Sequence, residues 1–177
     1  MHVRFSTARG LPVTDPFMDG AIGFLEDIFL NPETGTVEGF FVRIPGFFHT
    51  ERLFLACVDI AHWGVRVRVR SSDVLFPMED HVRLQALFHE GRRMIHQRML
   101  TESGRVLGHC EDVQFDTKLF RLEWLFPKKW FRWGTPIPAS SILRVTKEAV
   151  IVRDPTLPVP TVTAAEVVLK ESAPSFA

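Results

Sequence analysis

Tryptophan and basic side chains crowd one short stretch in the second half of the chain, and these residue types suit the binding of a partner. Three of the four tryptophans fall between Phe120 and Gly134, beside two lysines and Arg132. Tryptophan and arginine are among the residues most enriched where a few side chains carry most of a binding energy. The candidate partner-binding residues are Trp124, Lys128, Lys129, Trp130, Phe131, Arg132 and Trp133.

The stretch that follows Pro127 is predicted to be a loop or the end of a strand, outside the core. Pro127 and Gly134 bracket it, and both residue types interrupt regular elements. A small β-barrel also has too few interior positions to bury all of these rings. We therefore expect Trp130 and Trp133 to be at least partly exposed, or covered only by another copy or another protein. The alternative is that the rings pack against a helix near 79–90 or against the first half of the chain.

Three kinds of partner suit this stretch. A protein needs only the aromatic anchors, an anionic lipid surface accepts rings at its interface with cations above them, and single-stranded RNA stacks its bases on the rings. The chain carries 21 basic and 21 acidic residues, so its formal charge is zero. This balance argues against a dedicated DNA binder and favours a protein partner over RNA or an anionic membrane surface. A second copy of the chain is a further candidate partner.

A second contact face is predicted on a strand near residues 64–70. Valine alternates there with arginine, which is the period of a half-buried antiparallel strand. The valine side is Val65, Val67 and Val69, and the arginine side is Arg66, Arg68 and Arg70. The arginines are expected to form an outer strand surface covered by salt bridges, and the alternative is contact with an acidic partner.

Two pairs of adjacent carboxylates come nearest to a catalytic arrangement: Glu26-Asp27 and Glu111-Asp112. Adjacent residues of a strand point to opposite faces, so neither pair converges on one cavity as an acid–base dyad must. We expect one carboxylate of each pair to cap a turn or to pair with an arginine of a neighbouring strand. The other carboxylate is expected to be solvated.

Metal-binding and nucleophile motifs do not emerge from the sequence. His81, His89 and His96 have nearly the spacing of one helical face, but Gly91 interrupts the helix and no cysteine or carboxylate stands at ligand spacing. The sequence contains no nucleophile elbow, phosphate-binding loop or dinucleotide fingerprint. We therefore predict no enzymatic activity, no cofactor and no metal.

The expected cellular location is the cytoplasm, with peripheral attachment to a membrane as the alternative. Cys57 and Cys110 make no disulfide framework and are expected to be buried and reduced. The first residues lack the apolar segment of a signal peptide. No run approaches the ~18–20 apolar residues of a membrane span.

One segment of the chain recurs. The residues from Gly23 to Asn31 return as Gly108 to Asp116, an offset of 85 residues that also brings Phe41 onto Phe126. Hydrophobic positions stay in phase under this offset. An offset of this length exceeds one turn of a solenoid, so we predict two copies of a small domain. Further along, Ile60 is expected to correspond to Ile142.

Each copy is predicted to contain a β-hairpin, at 23–44 and at 108–126. Turn residues from Asn31 to Gly35 support the first hairpin. Closing strands are expected near 53–60 and 65–70, and near 137–143 and 148–153. One helix, from Glu79 to Glu90, is predicted between the copies. The residues expected to dock this helix are Val82, Leu84, Leu87 and Phe88.

These elements predict an all-β protein made of two tandem small β-barrels joined by one short helix. Closure into a barrel removes exposed strand edges. The predicted boundaries are 1–75 for the first barrel, 76–91 for the linker helix and 92–155 for the second barrel. Residues 156–177 are predicted to be a proline-rich, flexible tail.

The string GFLEDIFLNPETGTVEGFFV, followed by VDIAHWG and a closing VRVRV, resembles the PRC-barrel family. This family is named after the H subunit of the photosynthetic reaction centre and includes a bacterial ribosome maturation factor. Its Ile-Pro-x-x-x-Ile segment is matched by Ile137 to Ile142. The resemblance covers most of the chain as two tandem PRC-type barrels. It departs from the family at Phe120, where the turn glycine is missing, and in the unusually aromatic stretch from Trp124 to Trp133.

The resemblance implies a fold and carries no catalytic residue. Because family members mostly act as adaptors, it implies a non-catalytic adaptor or assembly factor. Such a protein would bind another protein or complex through the aromatic and basic segment of the second barrel. Two alternatives are an RNA-binding factor of the ribosome-maturation type and a peripheral subunit at a membrane face of a photosynthetic complex.

Overall fold

A computed structural model describes residues 1–46 and 50–154 of the chain. Within these ranges the chain forms two β-sheets, two short α-helices and four 3-10 turns. The mainly β architecture confirms the all-β class. Neither helix in this part of the chain has the length and apolar character needed to cross a bilayer. The predicted proline-rich tail at 156–177 lies outside the described residues.

The first sheet has seven strands and is built on a long hairpin. Two elements precede it in the chain, β1 (His2–Arg4) and α1 (Phe5–Ala8), and both lie against the second sheet, which is described below. The strands of the first sheet itself are β2 (Pro12–Thr14), β3 (Gly23–Leu30), β4 (Val37–Pro45), β5 (Thr50–Ala56), β6 (Ile60–Trp63), β7 (Val67–Val69) and β8 (Leu75–Phe76). Their order is β6-β7-β2-β3-β4-β5-β8.

The second sheet has eight strands and follows the helix α2 (Val82–His89). Besides β1, it contains β9 (Arg98–Thr101), β10 (Val106–Asp116), β11 (Arg121–Lys129), β12 (Arg132–Trp133), β13 (Ile137–Pro138), β14 (Ile142–Val145) and β15 (Ala149–Val152). The main path runs β12-β11-β10-β9-β15-β14, with β1 also paired to β10 and β13 to β11. Both predicted hairpins, 23–44 and 108–126, are therefore confirmed.

The two long hairpins pair in the same register. Leu25 faces Val42 in the first, and Cys110 faces Pro127 in the second, each partner displaced by the same offset. In both sheets the strand before the hairpin pairs in parallel with a strand from later in the chain, β2 with β7 and β9 with β15. The register shifts also correspond, between Leu25/Asp27 and Phe29/Leu30 in one hairpin and between Cys110/Asp112 and Gln114/Phe115 in the other. β6 and β14 begin at Ile60 and Ile142, each directly after a 3-10 turn.

The hairpin turns share one hydrogen-bond pattern although one of them lacks glycine. Asn31 Oδ1 accepts hydrogen bonds from the backbone N–H groups two and three residues later, and Asp116 Oδ1 does the same. Gly35 has φ +68°, and Phe120 at the same point of the second turn has φ +49°. This left-handed conformation costs a residue with a Cβ about 1–2 kcal/mol. The Phe120 ring packs against Trp63, with 6.2 Å between centroids, and this burial offsets the strain.

The two turns also contact each other, and the sheets share one hydrophobic core. The N–H of Val37 donates to the carbonyl of Phe120 at 2.7 Å, and the N–H of Leu122 donates to the carbonyl of Gly35 at 2.8 Å. Below this contact, buried side chains from both sheets form one continuous cluster. Because the N-terminal strand β1 joins the second sheet, hydrogen bonds cross the boundary expected at residue 75. The division into units 1–75 and 92–155 therefore stays a prediction.

The connecting helix is shorter than predicted. Its first expected residues, Glu79 and Asp80, lie in the 3-10 turn Met78–Asp80 that precedes α2. Leu84 is buried against the first sheet, with Leu87 and Phe88 packed beside it. Val82 was expected to dock as well but is exposed. Two residues turn a helix by roughly 200°, so Val82 lies on the side opposite Leu84.

Candidate functional site

The aromatic and basic residues form a β-hairpin at the edge of the second sheet, where β11 turns into β12. A two-residue loop at the tip connects these strands. We call residues 128–133 the aromatic hairpin: its cross-strand pairs are Lys128 with Trp133 and Lys129 with Arg132, and its loop is Trp130-Phe131. The position at a strand end agrees with the prediction made from Pro127 and Gly134.

The rings of the aromatic hairpin are exposed. The exposed fraction is 84% for Trp130, 93% for Phe131 and 53% for Trp133. This confirms the expected exposure of Trp130 and Trp133. The alternative, that these rings pack against the helix or the first half of the chain, is wrong for the two tip residues. A chain that keeps such rings in water has a surface suited to contact with a partner.

Trp130 holds a strained backbone conformation at the tip. Its φ is +58°, in the left-handed region that favours glycine. A bulky residue there costs about 1–3 kcal/mol, and its exposed ring recovers little of this within the chain. Strain of this kind, uncompensated by packing, is the pattern found where a side chain serves binding.

The Trp130 strain gives a prediction of stability. We expect Trp130→Gly to be more stable than Trp130→Ala by about 1 kcal/mol, because only glycine relieves the positive φ. At an ordinary exposed position the order is reversed, since glycine loses more backbone entropy on folding. Urea unfolding of the two variants measures the difference. Equal stability, or greater stability of the alanine variant, would show that the tip is not strained in solution.

An aromatic stripe continues from the hairpin along the outer face of β11. Trp124 and Phe126 alternate with the buried Leu125, and Lys128 follows on the same side as Trp124. The Lys128 ammonium lies 5.1 Å from the centre of the Trp133 ring, a cation–π distance. A shallow concavity on this face is lined by Gln114, Trp124, Phe126, Thr135 and Pro136. The structure thus places all seven candidate residues on one strand and the hairpin that follows it.

Arg4 also belongs to this surface, although nothing in the sequence predicts it. Its guanidinium lies 4.0 Å above the centre of the Phe126 ring and 5.3 Å from that of Trp133. Its Nε also donates to Asp112 Oδ2 at 2.8 Å. No local pattern connects the N-terminus with β11, so only the pairing of β1 with β10 reveals this residue. Phe126 was recognisable in principle, because it has the two-residue period of Trp124 and Lys128.

The cations of the aromatic hairpin are available to a partner. None of the ion pairs between described residues involves Lys128, Lys129 or Arg132. Lys129 and Arg132 are exposed on either side of the tip. Three positive charges therefore surround two exposed rings, and an anionic group on a partner would meet them without displacing an internal salt bridge.

The second predicted contact face lies in the other sheet. Arg66, Arg68 and Arg70 are exposed, and Val67 and Val69 are buried as the alternation predicted. Val65, expected on the buried side, is exposed because it belongs to the turn between β6 and β7. The salt bridges expected for these arginines do not occur among the described residues. The face is thus a solvated basic stripe, which leaves contact with an acidic partner as its alternative.

The carboxylate pairs follow their expected roles only in part. Arg52 contacts both Glu26, at 2.9 Å, and Asp27, at 3.2 Å. The expectation of opposite faces is therefore wrong for this pair, because the bulge between Leu25 and Asp27 breaks the strand alternation. In the second pair Asp112 is buried against an arginine and Glu111 is exposed, as expected.

The two cysteines are buried and free. Burial, with a smaller contribution from the charge of Asp112, raises the pKa of the Cys110 thiol to about 12. Burial likewise raises the pKa of Cys57. Both thiols remain protonated at neutral pH, and a protonated, enclosed thiol is a poor nucleophile and metal ligand.

Three ligand-bearing side chains converge elsewhere. Within residues 1–46 and 50–154, the group of potential metal ligands is His2, Asp116 and Glu123, and it contains none of the three histidines considered from the sequence.

Comparison with protein-family models and with curated proteins gives no match for the chain.

Proposed function

We propose that this protein is a non-catalytic adaptor or assembly factor that binds another protein through the aromatic hairpin. The observation that carries the proposal is the exposure of Trp130 and Phe131 at the tip of a projecting hairpin. Rings of this size contribute strongly when a partner buries them. The flanking cations then orient the contact and discriminate between partners by charge. The cytoplasm is the proposed place of action.

We further propose that the chain consists of two tandem PRC-type barrels. The shared strand order, the common register of the two hairpins and the corresponding bulges support this. So does a shared steric requirement at the start of each hairpin. A Cβ at Gly23 would lie 2.9 Å from the carbonyl oxygen of Arg43, and one at Gly108 would lie 2.3 Å from that of Lys128. Lys128 corresponds to Arg43 under the same offset, so both glycines permit the same close approach.

An RNA-binding factor is the second candidate function. The cations of Lys128, Lys129 and Arg132, which make no ion pair with the described part of the chain, favour it, since single-stranded RNA combines phosphate contacts with base stacking on exposed rings. Salt separates the two functions. Binding of RNA through three cations weakens steeply as salt rises, whereas a contact anchored by tryptophan changes little. An anionic membrane surface would share the salt dependence of RNA and would be recognised by binding to lipid vesicles.

The proposed function predicts a loss of binding in Trp130→Ala/Phe131→Ala. A partner is captured from cells with the wild-type chain and purified. The affinity of this partner for the wild-type chain and for the double variant is then measured at two salt concentrations. We expect the double variant to bind at least about 30-fold more weakly, which corresponds to about 2 kcal/mol for a hot-spot ring. Phe17→Ala/Val65→Ala is the matched control, because it removes exposed apolar side chains of the first half without touching the hairpin.

Two results would contradict this function. If the control variant lost as much affinity as the hairpin variant, the contact would depend on general surface hydrophobicity. If the affinity of the wild-type chain fell steeply with salt and the bound species were RNA, the adaptor function would be replaced by the second candidate. Unfolding curves of both variants establish that binding is compared between folded proteins.

A further inference from the structure

A polar cluster lies where β1 joins the second sheet. His2 is on β1, Asp116 ends β10, and Glu123 is on β11. The Nδ1 atom of His2 lies 2.7 Å from Glu123 Oε1 and 3.8 Å from Asp116 Oδ2. One ligand atom from each residue lies within 4.8 Å of the other two. Three segments distant in sequence thus bring one imidazole and two carboxylates to one point.

The local backbone holds both carboxylates in place. Asp116 Oδ1 accepts two N–H groups of its own turn, and its Oδ2 faces His2 and the terminal amine of Met1. Glu123 is the extra residue of a β-bulge. Gln114 of β10 pairs with Trp124 and Phe115 pairs with Leu122, so Glu123 has no paired residue on β10. Bulges commonly redirect a side chain next to a functional site. The amide of Gln114 donates to Glu123 Oε2 at 3.3 Å.

The corresponding point of the first sheet is built differently. Under the offset of 85 residues, Asn31 stands for Asp116 and Glu38 for Glu123. Asn31 donates to Glu38 Oε1 at 3.0 Å, and Arg83 lies 3.3 Å from Glu38 Oε2. One carboxylate is balanced there by an amide and one arginine. The second sheet has two carboxylates at the same point and places a histidine between them.

The Asp116 carboxylate is held in its charged form by hydrogen bonds. The hydrogen bond from the backbone N–H of Leu119, and then that from the terminal amine, lowers the pKa of Asp116 to about 2. Asp116 is therefore ionised at neutral pH. Two carboxylate oxygens beside an imidazole nitrogen form a donor set typical of zinc and related divalent transition metals, whereas calcium requires six to eight oxygen ligands.

We propose that His2, Asp116 and Glu123 bind a divalent transition-metal ion, for which Zn²⁺ is the representative. His2 Nδ1 supplies the nitrogen, each carboxylate supplies one oxygen, and water completes the coordination. The ion lies between His2 Nδ1 and the two carboxylates, whose oxygens already lie close to this nitrogen. Metal binding fastens β1 to the second sheet and thereby fixes Arg4, which lies over Phe126 beside the aromatic hairpin.

Calorimetric titration of the full chain with Zn²⁺ at pH 7.5 tests this site, with no tag at the N-terminus. We expect one ion per chain with wild type and an affinity at least 10-fold weaker for Glu123→Gln. Glu38→Gln is the matched control, since it changes the corresponding residue of the first sheet, and it should bind as wild type does.

The location of the ion is read independently from the NMR signals of the His2 ring. These should shift on addition of one equivalent of Zn²⁺ while the rings of His62 and His109 stay unchanged. Failure of the wild-type chain to bind Zn²⁺ would overturn the proposal. So would equal binding by wild type and Glu123→Gln, or shifts at the other histidines only. His2→Ala should also bind Zn²⁺ more weakly than wild type. Because His2 is exposed, this change leaves the core intact, so a loss of affinity in this variant does not reflect unfolding.

Discussion

Asp112→Ala is expected to release the N-terminal segment and to lower the free energy of unfolding by about 3 kcal/mol. The Asp112 side chain is only 2% exposed. Its Oδ1 accepts the backbone N–H groups of Ser6 and Val113 at 2.9 Å, and its Oδ2 accepts the Ser6 hydroxyl and Arg4 Nε. Alanine would leave all four donors without this acceptor. Because the Arg4 side chain is 38% exposed and can be rehydrated, the estimate lies at the lower end of the range for a broken buried ion pair.

Asp27→Ala is the matched control for this prediction. Asp27 stands at the same point of the first hairpin, but its side chain is 35% exposed and its cationic partner is Arg52. An exposed ion pair of this kind is worth less than ~1 kcal/mol. Urea unfolding gives both losses, and hydrogen exchange over residues 1–8 reports whether the segment detaches. Equal losses, or a loss from Asp112→Ala without faster exchange in this segment, would show that Asp112 does not anchor the N-terminus.

The hairpins were predictable because their signals are local. The recurrence from Gly23 to Asn31 and from Gly108 to Asp116 identified both first strands, and the turn residues that follow Asn31 located the first reversal. Alternation identified β7, although it could not show that Val65 falls in a turn. The β-bulges, in contrast, have no local signal in the sequence. The bulge that brings Glu26 and Asp27 to the same arginine depends on cross-strand pairing, which alternation within one strand does not encode.

The candidate surface was predictable in composition but not in construction. The number of rings near Trp130 exceeded what a small barrel can bury, and this was sufficient to predict exposure. The left-handed backbone of Trp130 could not be predicted, because tryptophan has no preference for that region. The contributions of Arg4 to the aromatic surface and of His2 to the polar cluster come from β1, whose pairing with β10 has no counterpart in local periodicity.

Gly108→Ala is expected to lower the free energy of unfolding by about 3 kcal/mol or more and to displace the aromatic hairpin. A Cβ at this position would lie 2.3 Å from the carbonyl oxygen of Lys128, which begins the hairpin. Backbone atoms cannot yield as the end of a flexible side chain can, so β10 and β11 must separate here. The φ of Gly108, +121°, adds strain for any residue with a Cβ.

Gly104→Ala separates strain from steric overlap. Gly104 also has a positive φ, +86°, but a Cβ there would have no atom within 4 Å. Its loss should therefore be limited to the conformational cost of about 1–2 kcal/mol. Tryptophan fluorescence, which reports on the rings following Lys128, should change in the folded state of Gly108→Ala and remain unchanged in Gly104→Ala. If the two variants lost equal stability with identical spectra, the close approach of Gly108 to Lys128 would not position the hairpin, and the shared requirement for glycine at Gly23 and Gly108 would need another cause.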